Sequence, residues 1–374
     1  MFSNNQRISG RQMNRMLGLD LFAAASMILP KVLFQASGGH GLFGLLAGTV
    51  GMIVYGWLLY DVASGYSDNF YRFNCRIWGN VMGWLVMLYF KFKFMVSAVY
   101  WLKIFSQVIN RTFLTEMPES VIAILMLVTA LYSAFSGIEA RGRFGGLLFW
   151  IVVIPVAFVV LLSFTEVSLS RLFQVAEGSF KEIAGGGFVT AVLFSAVEFI
   201  LFAAPFVVHI KKSFRFIVKA VLFAGVFTGV IYLACIGVLG ACGASKEQWP
   251  FVVLMQMVRL PGRFMSRQEG LMMTFWTAAV LMLIGGYVFY AADIFRQLFS
   301  GKYMKTLSIL WTVAVYFLSF AIKDVRAFEQ FYFKAALWGG LLPTVIILVI
   351  LAAGRRLKKE ASGKVHQRTG RAKQ

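Results

Sequence analysis

Residues 22–34 read FAAASMILPKVLF. Three alanines and a serine interrupt an otherwise bulky apolar run, and a proline and a lysine follow. A proline inside a helix removes one backbone donor and clashes with the preceding turn, while short side chains let another backbone or a ligand come close. Backbone groups freed at membrane depth find no partner in hydrocarbon, so such a break is tolerated only where it faces protein or a water-filled cavity. A second stretch, FSAVEFILFAAP at residues 194–205, has the same mixture of small residues and a terminal proline.

The chain around these stretches is that of a membrane protein. Apolar residues make up 59% of its 374 positions and charged residues 14%, whereas a soluble domain is about one quarter charged. Apolar runs long enough to cross about 30 Å of hydrocarbon recur along almost the whole length. Length and polar punctuation divide them into about ten spans: 16–37, 41–63, 79–109, 119–136 and 144–165, then 188–210, 216–241, 270–299, 304–322 and 331–353. Between the fifth and sixth lies a polar linker with its own glycine cluster, EVSLSRLFQVAEGSFKEIAGGG. The expected organisation is an N-terminal tail (1–15), a first five-helix repeat (16–165), an extracytoplasmic linker (166–187), a second repeat (188–353) and a basic C-terminal tail (354–374). Residues 246–260, short and flanked by Pro250 and Pro261, read as an interfacial helix.

The net charge of +20 has its bland explanation in loop charges that orient the spans, and they place both termini in the cytoplasm. No basic stripe interleaved with aromatics on a soluble module points to nucleic acid. The N-terminal apolar run passes signal-peptide length without a small-residue cleavage site, so it reads as retained.

A repeat unit with an odd number of spans makes its second copy enter the membrane from the opposite face, which is an inverted repeat. The fold class is therefore all-α and integral to the membrane, a 5+5 inverted repeat with broken first and sixth helices. In such carriers the two breaks meet at the bilayer midplane, where half-helix N-termini attract a carboxylate and half-helix C-termini a cation. The alternative for either stretch is a plain proline kink.

Glu198 falls near the centre of its span, where an ionised carboxylate needs a partner or a proton. It serves either as a binding group for a ligand amine or proton, or as a structural partner of Lys91 or Lys93 in YFKFKF. Those lysines stand two apart, point to nearly opposite helix faces and cannot both reach one acid. Asp20, Lys31, Lys103, Asp293 and Lys334 lie nearer the span ends, where snorkelling or loop pairing accounts for them. The midpoint of the eighth span, LMLIGGYVFYAADIF, offers no serine or threonine for a sodium site beside the first break, which weakens the case for sodium coupling. Tyr287 there is either a cavity wall or packed core. Catalysis, cofactor and metal find no support: His40, His209 and His366 are scattered, Cys75, Cys235 and Cys242 lack ligand spacing, and the glycine-rich pieces lack a phosphate-loop lysine.

Three segments, ISGRQMNRMLGLDLFAAASMILP, SGIEARGRFGGLLFWIVVIP and RLPGRFMSRQEGLMMTFW, resemble the B subunit of GerA-type spore germinant receptors. The resemblance runs from Ile8 to about Ala353. It implies the LeuT-like fold of the amino acid, polyamine and organocation transporter superfamily, in a spore inner membrane. It further implies a complex with an A-type membrane subunit and a C-type lipoprotein, and a nutrient germinant, an amino acid or sugar-like molecule, held between the broken helices with the third and eighth closing the pocket. Carried over by position, that points to Ala24, Ala25 and Ser26, to Val96 and Val99, to Ser195, Val197 and Glu198, and to Leu283 and Tyr287, with Lys91 and Lys93 as charge partners. The family more often has glycine in the first break, where Ala23–Ala25 stand here. The competing readings are an autonomous proton-coupled amino-acid symporter and a scaffold with a vestigial cavity.

Overall fold

The structure is a computed structural model that describes residues 6–66, 68–172, 179–257, 268–299 and 304–371. Among them every regular element is a helix, apart from one isolated bridge pairing. In chain order the α-helices are α1 (Gly10–Ala25), α2 (Leu29–Ser37), α3 (Gly41–Ala63), α4 (Phe70–Thr112), α5 (Glu119–Phe135), α6 (Gly137–Ser163), α7 (Leu169–Leu172), α8 (Phe180–Leu193), α9 (Phe199–Ala203), α10 (Phe214–Lys246), α11 (Pro250–Met257), α12 (Gln268–Leu298), α13 (Met304–Ala321) and α14 (Val325–Arg371). Seven helical stretches among the described residues are long and apolar enough to cross a membrane, joined by the shorter apolar helices Glu119–Phe135 and Leu342–Ala352. The first of the seven, Leu29–Ala63, is cut by the Gly38–His40 turn into the end of one span and the whole of the next. With that division the crossings fall into the expected two sets of five: α1 with α2, α3, α4, α5 and α6, then α8 with α9, α10, α12, α13 and α14.

Local chemistry sets the boundaries. Ser9 and Gln12 form a capping box at the start of α1, each satisfying a backbone donor that the first turn leaves over. Asn69 caps α4 by accepting from the Arg72 amide. Gly79 inside α4 and Gly240 inside α10 have φ of +82° and +74°, left-handed values that glycine adopts without a Cβ penalty, and each ends a membrane span in a bend. The sixth span starts earlier than its hydropathy indicates: α8 begins at Phe180 behind the Ser179 cap, so Gly185–Gly187 are helical. Those glycines serve packing. A Cβ on Gly186 would approach the Gly44 Cα at 3.1 Å, and one on Gly48 would lie 2.5 Å from the Thr190 Cβ, so α3 and α8 touch backbone to backbone, as small residues permit in lipid. Part of the expected interfacial segment 246–260 is the short helix α11; 258–267, including Arg259–Arg267 of the third quoted motif, lie outside the described residues.

α1 runs through the centre of the protein, with every residue from Met16 to Ala25 buried. Large apolar side chains such as Val50, Val54, Trp57, Phe92, Val226 and Phe317 are exposed on the outer helices. An exposed apolar belt around a buried centre is the arrangement expected where the solvent is lipid. At the end that carries the N-terminus, Ile8 pairs in parallel with Val207: the Ile8 amide donates to the Phe206 carbonyl at 2.8 Å and the Val208 amide to the Ile8 carbonyl at 2.9 Å.

Candidate ligand site

Both expected breaks are present. α1 stops at Ala25 and α2 starts at Leu29, with Pro30 in its first turn. In the sixth span α8 stops at Leu193 and a 3-10 stretch, Phe194–Glu198, leads into α9. The chain does not open widely at either point. Ser26 keeps helical angles and its amide still donates to the Phe22 carbonyl at 2.9 Å, while the sixth span tightens instead of uncoiling.

The tightening places the site. In a 3-10 helix, with three residues per turn, side chains at i and i+3 eclipse, so Ser195 and Glu198 face the same way. They look into a cavity of about 490 Å³ walled by α3, α4, the Phe194–Glu198 stretch with the end of α8, and α14. The other helices contribute at helical spacing: Tyr55 and Leu58 from α3; Tyr89, Lys93, Val96 and Ser97 from α4; Tyr332 and Ala336 from α14. One wall is polar. The Lys93 Nζ stands 2.5 Å from the Glu198 Oε1, and the Tyr55 hydroxyl donates to the same oxygen at 2.9 Å. The second carboxylate oxygen, Oε2, is buried without a hydrogen-bond partner. Ser97 and Tyr332 approach to 3.5 Å through their hydroxyls. Most of the remaining lining is aliphatic or aromatic, including Met52, Phe188 and Val192.

Of the residues carried over by position, the structure brings Val96, Ser195, Glu198 and Lys93 together at this cavity. Ala24, Ala25, Ser26, Val99, Val197, Leu283 and Tyr287 it places in packed core, away from the cavity wall. Just ahead of the alanine run, Phe22 packs against Phe227 and Trp276 at 5.4 and 6.2 Å between ring centres. Tyr287 is held between Phe94 and Phe199. The two lysines part as the helix period requires: Lys91 turns away from Glu198 and donates to the Ala291 carbonyl at 3.0 Å, with its ammonium against the Phe295 ring. Sequence reasoning missed Tyr55, Tyr89, Ser97 and Tyr332. Their signal was available, since Tyr89, Lys93, Val96 and Ser97 recur at three- and four-residue spacing.

A second buried cluster was not foreseen. Asp20 reads as a span-end residue and Arg141 falls between the expected spans 119–136 and 144–165, yet both are buried and form an ion pair of 2.8 Å. The Arg141 Nη1 donates to the Met282 carbonyl at 2.6 Å. A Cβ on Gly286 would come within 2.6 Å of the Arg141 Nη2, so the Gly285–Gly286 pair makes room for the guanidinium. The cation between α1 and α12, where a sodium site would need its oxygens, is thus part of the chain. Lys31 and Lys103 are likewise paired rather than snorkelling, with Glu329 at 3.1 Å and Glu119 at 3.0 Å. Asp293 pairs with Arg296 on its own helix. Among the described residues no group of three His, Cys, Asp or Glu side chains is placed to hold a metal.

Two interrupted helices in an all-helical bundle of apolar spans, with a buried ion pair beside a cavity, define an integral membrane protein with the LeuT fold. The fold matches MhsT in complex with L-phenylalanine at a TM-score of 0.56 and 13% identity, covering 81% of this chain and 78% of that one. It also matches a substrate-bound Na+-coupled sialic acid symporter at a TM-score of 0.57 and 12% identity, covering 91% and 75%. The chain belongs to the spore germination protein family, whose sequence profile matches residues 7–326. Spore germination protein YndE of Bacillus subtilis is 25% identical over 361 residues, 93% of this chain and 98% of the relative. Spore germination protein B2 of the same organism is 22% identical over 353 residues, 94% of each.

Proposed function

We propose that this chain is the membrane subunit of a spore germinant receptor. It binds a small nutrient germinant, an amino acid, in the cavity beside Glu198, and passes the occupied state to partner subunits, an A-type membrane protein and a C-type lipoprotein. It lies in the spore inner membrane with both termini in the cytoplasm, the orientation that loop charge favours. The observation that carries the reading is Glu198, a residue of the cavity wall: one of its oxygens is shared by Lys93 and Tyr55, and the other is buried without a partner. A buried carboxylate oxygen without a donor is costly, and an α-ammonium arriving there would satisfy it. The ligand carboxylate would share the Lys93 ammonium, and its side chain would lie on the apolar lining. Signalling is then a population shift: the ligand binds one arrangement of the sixth span better than another.

The test is Glu198→Gln in spores that rely on this receptor. A hydrogen bond to a charged group contributes about 1.5–3 kcal/mol, so the germinant concentration for half-maximal germination should rise about tenfold to about a hundredfold, with receptor level on immunoblots unchanged. An unchanged dose response at equal level refutes the reading. The same midplane carboxylate, held by a lysine, also supports an autonomous proton-coupled amino-acid transporter. Uptake by proteoliposomes of this chain alone under a pH gradient would favour that second reading, and its absence would count against it.

A further inference from the structure

The cavity opens sideways. Its lining residues Gly51–Leu58 of α3, Tyr89–Ser97 of α4 and Phe188–Glu198 of the sixth span lie more than one turn inside their spans, and α14 closes the fourth side with Tyr332–Thr344. Its mouth therefore lies between helices, away from the ends of α3, α4 and the sixth span. The rim belongs to the lipid-facing belt: Val54 is 54% and Phe92 61% exposed, continuous with Val50 and Trp57 on the same side of α3. Gly51 of α3 and Gly340 of α14 both line the cavity, and a Cβ built on either meets nothing within 4 Å. The wall is missing where these glycines stand.

We infer that the cavity communicates with the bilayer through this side portal, and that without a bound ligand it holds one acyl chain of a membrane phospholipid, methyl end inward. The argument for that occupant is continuity with the lipid interface, together with depth and chemistry. An empty apolar void forfeits the dispersion contacts of its lining. A water there needs two to four polar partners, and the outer part of the cavity offers Gly51, Val54, Phe92 and Ala336 instead. Within the apolar spans the neighbouring lipid atoms are those of acyl chains, while headgroups lie at the interfaces. The inference needs only the cavity and its mouth. If the ligand site is also as proposed, the germinant must expel the chain.

The experiment uses the full-length chain in phospholipid nanodiscs containing a phosphatidylglycerol with a diazirine near the methyl end of one acyl chain. After irradiation, adducts are mapped by peptide mass spectrometry. Met52 and Val192 line the cavity at 5% and 7% exposure, so a chain that enters should mark them in addition to the outer Val226 and Phe317. In the double variant Gly51→Leu, Gly340→Leu, and independently in Val54→Trp, the inner adducts should disappear while the outer ones persist, which also reports that the fold survives. Adducts confined to the outer belt in the unaltered chain would overturn the inference. So would inner adducts that survive both plugs, or inner adducts from a lipid with its diazirine beside the headgroup. Germination is not read in this test, so its failure leaves the ligand site standing, and the Glu198→Gln result leaves the portal standing.

Discussion

Arg141→Met tests whether the buried ion pair between the first and fifth spans locks the centre of the protein. Arg141 is 0% and Asp20 1% exposed by side chain, and the guanidinium makes two bonds to the carboxylate and one to the Met282 carbonyl. Two magnitudes bound the loss. Hydrogen bonds between membrane helices average about 0.6 kcal/mol each, so three of them give about 2 kcal/mol. Leaving a buried charge without its partner costs about 3–5 kcal/mol, and the second figure governs because the Asp20 side chain is only 1% exposed. Arg141→Met should therefore lower stability by about 3–5 kcal/mol, and Asp20→Leu by a similar amount. The double variant, which buries no charge, should cost much less than the sum. Equilibrium unfolding of the detergent-solubilised full chain in rising SDS, followed by circular dichroism, reads all three. The reasoning fails if Arg141→Met costs less than about 1 kcal/mol, or if the double variant is additive, since additivity is the mark of independent sites.

Two glycines three residues apart should behave oppositely. Gly48→Leu drives a side chain into Thr190 and the Gly187 carbonyl, whose atoms lie 2.5 and 2.7 Å from the added Cβ, and should cost about 1–3 kcal/mol or more, whereas Gly51→Leu meets open space and should stay within about 0.5 kcal/mol in the same assay. Ile8→Pro removes the amide that donates to Phe206. At about 1 kcal/mol for a net hydrogen bond, exchange of the neighbouring Val208 amide should speed up about fivefold in hydrogen–deuterium exchange, and unchanged protection would show that the bridge does not tie the first and sixth spans together.

The span pattern was legible because hydrocarbon demands long apolar helices and an odd repeat demands inversion. The opposite destinies of Lys91 and Lys93 followed from helix period alone, and the structure sends them to the Ala291 carbonyl and to Glu198. The position of the cavity was not legible. FAAASMILP announces a weak helix, but whether neighbours close over it depends on Phe22, Phe227 and Trp276, residues far apart in sequence. Arg141 was hidden for a related reason: within SGIEARGRFGG its surroundings look like a loop, and burial becomes visible only when Asp20 and the Gly285–Gly286 notch are brought to it.

The two interruptions consequently do different work. The first is sealed: Ala24, Ala25 and Ser26 are buried, and the Ser26 hydroxyl is left without a partner. The second is poised. A 3-10 turn has poorer hydrogen-bond geometry than an α-helix and is seldom extended, so Phe194–Glu198 is the part of the sixth span with the least to lose by rewinding. One of its sides presents Ser195 and Glu198 to the cavity, and it packs against α1 beside the first interruption. In the proposed receptor, a ligand charge drawn to the unpartnered oxygen of Glu198 would act on this segment directly. Rewinding it to 3.6 residues per turn would rotate Ser195 and Glu198 out of line and shift the surface that α1 rests on. In that event the small side chains of the alanine run would let α1 follow the shift at less steric cost than bulky ones.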